Sequence, residues 1–177
     1  DDLGPASEEE GLARPGGIEI ATGLAPYTNN LLPLRLDNNA VGISDENDRK
    51  ALSDLLSAYL PPSVDIAISF RLGSAEIDPS AFNDLSEVAQ ALASPQLVAF
   101  PILVAGHTDA VGGANYNLDL SFRRAASVRQ HLITVHGISE KRLIITGFGY
   151  ERLKDVIVPE AAINRRVEFM NAMGLFQ

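Results

Sequence analysis

Residues 97–137 read LVAFPILVAGHTDAVGGANYNLDLSFRRAASVRQHLITVHG. The first ten, 97–106, are apolar around Pro101. That run is too short for a bilayer, which takes about 20 residues. It predicts a strand over 97–105 with the proline at its start or at an edge. A polar, glycine-rich loop over 106–115 follows. From Tyr116 to His136 the residues Leu120, Ala125, Val128, Leu132 and Val135 recur along one side of a helix. Gly137 then stands where helices often end in a left-handed residue.

Outward from this strand–loop–helix unit the alternation continues. Upstream, 64–70 (VDIAISF) alternates apolar and polar and reads as a strand. Asp78 caps a helix that begins with Pro79, with Phe82, Leu85, Val88, Ala89 and Leu92 as its buried stripe. Downstream, 142–148 (RLIITGF) and 166–170 (RVEFM) are further strands, with a loop or helical turn between. The order is β-α-β-α-β-(loop/α)-β. Two helices crossing one sheet give an α+β class, a two-layer sandwich.

The N-terminal third differs in charge. The chain carries fourteen Lys and Arg against twenty-three Asp and Glu, a net charge of −9. Residues 1–60 hold eleven of the acids and four of the bases. Residues 1–17, with Glu8–Glu10, read as a flexible acidic tail. Residues 18–62 form an extension with short strands, such as 32–36, and a helix at about 45–60. Ser44 caps that helix, Asp45, Glu46 and Asp48 fill its first turn, and Ala51, Leu52, Leu55, Leu56 and Tyr59 give it one apolar face. Pro61 and Pro62 stop it and mark the boundary of a main domain over 63–172, with 173–177 as a tail. The helix face needs cover, as by packing on the sandwich.

Net acidity excludes a generic nucleic-acid binder or an anionic-lipid surface, since both need clustered Lys and Arg. Without cysteine, disulfide scaffolds, Cys-ligated zinc, iron–sulfur clusters and thiol nucleophiles are excluded. His107 and Asp109 are spaced as a ligand pair, but a metal site needs at least a third ligand. His131 and His136, five apart on a helix, share a face poorly. Ser121 and Ser127 lack a nucleophile elbow. Gly112–Gly113 and 147–149 are turn glycines, with no Walker lysine or G-x-G-x-x-G.

One constellation remains. Asp109 follows a strand end, and Arg124 lies about two turns into the next helix. A strand–loop–helix unit brings the helix back beside its strand, so both side chains can line one cleft. A carboxylate takes an ammonium and a guanidinium fork takes a carboxylate, which suits a zwitterion. The plain alternative is a surface ion pair or two solvated charges.

The motifs Gly106-His107-Thr108-Asp109-Ala110-Val111-Gly112, Tyr116-Asn117, Leu120-Ser121-Phe122-Arg123-Arg124-Ala125 and Asn164-Arg165-Arg166-Val167-Glu168 closely resemble the OmpA-like peptidoglycan-binding domain. Gly137, Arg142 and Gly147-Phe148-Gly149 fit the same pattern, as do Ile68-Ser69-Phe70 and Gly73-Ser74-Ala75-Glu76-Ile77. The resemblance covers about 64–171. That family includes outer membrane protein A, the peptidoglycan-associated lipoprotein and MotB. It implies a βαβαβ sandwich with a mixed sheet. It implies non-catalytic binding of peptidoglycan through the meso-diaminopimelate of the stem peptide, tethering an envelope protein to the wall, with no cofactor and no metal. By position, Asp109 matches the acid that holds the ligand's ammonium and Arg124 the arginine that holds its carboxylate. Thr108 and Asn117 match residues that line or brace the site, although Asn117 reads equally as a helix cap. Asn164 and Arg165 match an element bordering the site, or a strand-end salt bridge. Tyr116 and Leu120 read as packing.

The resemblance places the protein in the periplasm of a Gram-negative bacterium, associated with the outer membrane. Residues 1–60, which the resemblance does not cover, read as a spacer or as a docking surface for another envelope protein. The alternative function is a protein-interaction scaffold with a silent wall site. One departure stands out: where many members carry Asp or Asn after the first-strand Phe, this chain has Arg71-Leu72-Gly73.

Overall fold

Ile102–Gly106 (β3) offers no solvent face, because every one of its residues is apolar, glycine included, and buried. In the computed structural model it therefore takes the centre of a five-stranded sheet. The structure describes residues 42–177 other than Leu72, Gly174, Phe176 and Gln177. The tail expected at 1–17 and the strand expected at 32–36 lie outside the described residues.

Around β3 are Gly42–Ile43 (β1), Ser63–Ile66 (β2), Leu143–Gly147 (β4) and Val167–Asn171 (β5), in the order β1-β4-β3-β5-β2. β4 runs parallel to β3 and to β1, while β5 runs antiparallel to β3 and β2. The sheet is mixed, as the resemblance implies, and the class is α+β.

Glu46–Tyr59 (α1), Phe82–Leu92 (α2) and Ala114–His136 (α3) complete the fold. Ile102 and Val104 point to the face covered by α2 and α3, where Leu85, Val88, Ala125, Val128 and Leu132 are buried. Leu103 and Ala105 point the other way and pack with Leu52 and Leu56 of α1. α1 is thus a third layer over the second face. The boundary expected at Pro61–Pro62 does not separate two cores, because those leucines share one cluster with Ile144, Phe148 and Met170.

The α1 cap is Asp45 rather than Ser44. Its carboxylate accepts from the N–H groups of Asn47 at 2.8 Å and Asp48 at 3.2 Å. Arg49 is buried and donates to both carboxylate oxygens of Glu151 at 3.2 Å. Arg152 donates to the Ser53 carbonyl at 2.9 Å. These contacts tie α1 to the loop after β4.

Two strands fall short of their expected lengths by three residues or more. β2 ends at Ile66 because its partner β5 begins at Val167, opposite it, leaving Ala67 nothing to pair with. The expected strand at 97–105 begins only after Pro101. Residues 94–100 coil into turns, and Arg142 holds them against the end of α2 by donating to the carbonyls of Leu92, Leu97 and Phe100. Gly137 closes α3 at φ 68°, as anticipated. Val135 is exposed, and the buried residue past the helix end is Ile138.

Candidate ligand-binding site

The chain leaves β3 through His107, Thr108 and Asp109 and re-enters regular structure at Ala114. Three interactions shape this loop. The Thr108 N–H donates to the Gly149 carbonyl at 2.8 Å. The Ala110 N–H donates to the Pro159 carbonyl at 3.0 Å. Buried Asn117 reaches back from the first turn of α3 and donates to the Val111 carbonyl at 2.9 Å. The α3 cap position itself is Gly113, so Asn117 braces the loop rather than capping the helix.

Asp109 is mostly buried. One carboxylate oxygen accepts from the Val111 N–H at 3.2 Å, and the other meets Arg165 Nη1 at 2.7 Å. This pairing is the feature that spacing alone did not reveal, since fifty-six positions separate the two residues. Arg165 stays half-exposed, and among the described residues Asp109 is its only side-chain partner.

Arg124 extends from α3 over the Phe70 ring, its guanidinium carbon 4.7 Å from the ring centre. Its Nε donates to the Ser74 carbonyl at 3.1 Å. Its two terminal nitrogens take no partner among the described residues. Burial is the largest influence on this guanidinium and lowers its pKa; Arg165 adds to the effect and Asp109 opposes it. Arg124 therefore lies within electrostatic reach of both members of the Asp109–Arg165 pair, yet bonds to neither. Tyr116, half-exposed on the same face, donates to the Gly73 carbonyl at 3.4 Å, and Leu120 is buried packing. The supporting roles of Phe70 and Ser74 went unread in sequence, because a π-face and a backbone carbonyl leave no motif of their own.

One residue expected to border the ligand has another duty. Asn164 is fully buried; its amide nitrogen donates to the carbonyls of Asp155, Val158 and Pro159. Its oxygen accepts from the N–H groups of Lys154 and Asp155, both at 2.8 Å. That uses the capacity of a primary amide, leaving nothing for a ligand. Asn164 is a correction to the expected contact set: it organises the 154–164 loop that presents Arg165. Asn164→Ala is expected to cost about 3 kcal/mol, since several buried backbone groups lose their partners together. Denaturant unfolding checks this, and a loss under about 1 kcal/mol would contradict it. Thr108 is also buried, with its hydroxyl unpartnered among the described residues, so it lines the inner wall of the loop.

His107 does not join Asp109. It turns the other way, against the Phe148 ring with centroids 5.5 Å apart, and Nε2 lies 3.3 Å from a Glu168 oxygen. Burial pushes the His107 pKa down. Burial alone would raise Glu168, but His107, Ser63 and Arg166 outweigh it and hold that carboxyl at about 2. The departure residue Arg71 pairs with Glu76 at 3.4 Å across its own loop, so its charge is answered locally. Among the described residues no three His, Asp or Glu gather as a metal site, and no helix is long and apolar enough to cross a membrane. A separate cleft of about 310 Å³ lies between α1 and α3, walled by Arg49, Asn115, Tyr150 and Glu151, and contains none of these site residues.

Comparison with known proteins now bears on this geometry. The chain is 36% identical over 107 residues to outer membrane porin F of Pseudomonas fluorescens, covering 59% of this chain and 32% of the porin. It is 38% identical over 71 residues to the peptidoglycan-associated lipoprotein of Legionella pneumophila, covering 39% of this chain and 40% of that protein. The chain thus spans about a third of the length of that porin and of outer membrane protein A from Buchnera aphidicola. A solved MotB-like protein from Desulfovibrio vulgaris superposes with a TM-score of 0.52 at 27% identity, covering 60% of this chain and 70% of that one. The OmpA-like domain of FopA1 from Francisella tularensis has the same fold, with a TM-score of 0.52 at 21% identity over 60% of this chain and 69% of that one. The OmpA family model matches residues 69–166, more than half of the sequence and the whole of the Asp109–Arg124 unit, and the chain belongs to that family.

Proposed function

We propose that this domain binds peptidoglycan without cleaving it, by capturing the zwitterionic end of meso-diaminopimelate on the stem peptide, and so fastens a periplasmic or outer-membrane protein to the wall of a Gram-negative bacterium. One observation carries the reading. Arg124 is pinned by one nitrogen and one aromatic face, while its two terminal nitrogens take no partner among the described residues and lie within electrostatic reach of the buried Asp109 carboxylate. A guanidinium held this way is pre-organised for a bidentate carboxylate, and Asp109 supplies the charge for an adjacent ammonium. The similarity to a peptidoglycan-associated lipoprotein supports the same partner.

The test is co-sedimentation with purified walls. Diaminopimelate-type walls should pellet the protein, and lysine-type walls should not, because lysine lacks the second carboxylate that Arg124 would grip. Soluble muropeptides should not appear in the supernatant. Equal pelleting by both walls would remove the stated role of Arg124, and released fragments would point to a hydrolase.

The rival reading is a protein-interaction scaffold. It has the exposed Val156, Ile157, Val158 and Ile163 in its favour. The apolar face of α1 does not serve it, because Leu52 and Leu56 are spent on the sheet.

A further inference from the structure

The charge count of the site is uneven. Asp109 contributes one negative charge, while Arg165, bonded to it, and Arg124, which lies within electrostatic reach of both, contribute two positive ones. The Asp109–Arg165 contact uses a single nitrogen of Arg165, Nη1, and leaves half of that side chain in solvent. Nε and Nη2 have no partner among the described residues. The backbone under Arg165 is fixed: its N–H donates to the Ala162 carbonyl at 3.0 Å, and the preceding Asn164 is locked by its amide. Arg165 is thus a rigidly rooted fork with one prong engaged and the rest open.

A neutral zwitterion answers only part of this arrangement. When a ligand ammonium approaches Asp109, it competes with Arg165 for the same carboxylate. Two cations around one anion repel, and the repulsion is relieved if the ligand brings a second carboxylate to the Arg165 side. The ligand that balances all three groups has one ammonium flanked by two carboxylates.

We infer that Arg165 is a second carboxylate clamp, which directs the site toward stem peptides ending at diaminopimelate, where the stem-terminal α-carboxylate is free. Resting on the wall-binding function proposed above, this specifies its substrate: uncapped stem ends, in preference to stems whose α-carboxyl is tied up in an amide. Arg124 takes the side-chain carboxylate, Asp109 the ammonium, and Arg165 the stem-terminal carboxylate.

The experiment is titration calorimetry on the full chain with two probes. One is the tripeptide L-Ala-γ-D-Glu-meso-diaminopimelate; the other is the same tripeptide with its stem-terminal carboxyl as the amide. The unaltered protein should bind the acid about tenfold more tightly than the amide, a modest factor because the clamp is half-exposed. Arg165→Gln should bind both probes equally, at the affinity the unaltered protein shows for the amide. Arg165→Lys should recover part of the preference. Arg124→Ala should weaken both probes alike, which separates the two arginines. Equal affinity of the unaltered protein for acid and amide overturns the clamp. So does an equal loss for both probes in Arg165→Gln, which would make Arg165 a positioning residue for Asp109. A gain in affinity in that variant also overturns it, because Arg165 would then be a plug that the ammonium must displace. Binding of neither probe by the unaltered protein would defeat the wall-binding function itself, and this inference with it.

Discussion

Gly106→Ala should lower the thermal unfolding midpoint by on the order of 10 °C or more, through a stability loss of about 3 kcal/mol or more. The cause is contact between backbones. A Cβ at Gly106 would stand 2.0 Å from the Ser121 carbonyl oxygen and 2.8 Å from its carbon. Neither belongs to a side chain that can swing away, so the whole of α3 must lift. Gly147 is the cross-strand partner of Gly106, and a Cβ there would meet the Phe122 nitrogen at 2.4 Å. The two glycines form a seat on which α3 rests directly against β3 and β4. Lifting the helix would loosen Ala125, Val128 and Leu132 from the core and shift Asn117 and Arg124 relative to Asp109. Circular dichroism melts measure the effect, with Gly113→Ala as the control. Nothing lies within 4 Å of a Cβ at that cap position, so the control should cost no more than about 1 kcal/mol. If Gly106→Ala melted within 2 °C of the parent, α3 would not be seated as described.

How much of this was legible beforehand depends on the range of each interaction. α3 was nearly complete in the sequence, because helical periodicity over 23 residues needs no outside partner to be recognised. Asp109 and Arg124 were legible as a candidate pair because the loop and helix joining them are local. The Asp109–Arg165 contact was not, since it depends on β5 pairing beside β3, a choice that no local pattern records. Asn164 carried an ambiguous signal: a motif position can be filled for ligand contact or for loop closure, and only its five hydrogen-bond partners decide. The third layer did leave a trace. A strand apolar at every position, as in 102–106, expects cover on both faces, and α1 was the amphipathic helix left to supply it. Strand lengths were overread because alternation marks where a strand can form, while its end is set by where its neighbour stops.

Arg124→Ala should weaken binding to diaminopimelate-type walls by on the order of a hundredfold, with little change in stability. The two halves of that expectation have separate causes. Removing the guanidinium would delete the bidentate, charge-assisted contact proposed for it in a partly desolvated site, where such losses run to about 2–5 kcal/mol. The fold loses little, because Arg124 gives one hydrogen bond to Ser74 and one cation–π contact to Phe70, together worth about 1–2 kcal/mol. Arg124→Lys sharpens the argument. Lysine keeps the charge but not the fork, so a site that merely attracts anions would keep most of its affinity, whereas a site that reads a planar carboxylate would lose most of it. Sedimentation isotherms beside thermal melts give both quantities from the same preparations. Undiminished binding by Arg124→Ala, with Asp109→Ala equally silent, would move the wall contact away from this cleft. Binding lost only together with folding would mean that Arg124 braces the Phe70–Ser74 segment and that the carboxylate is held by some other donor.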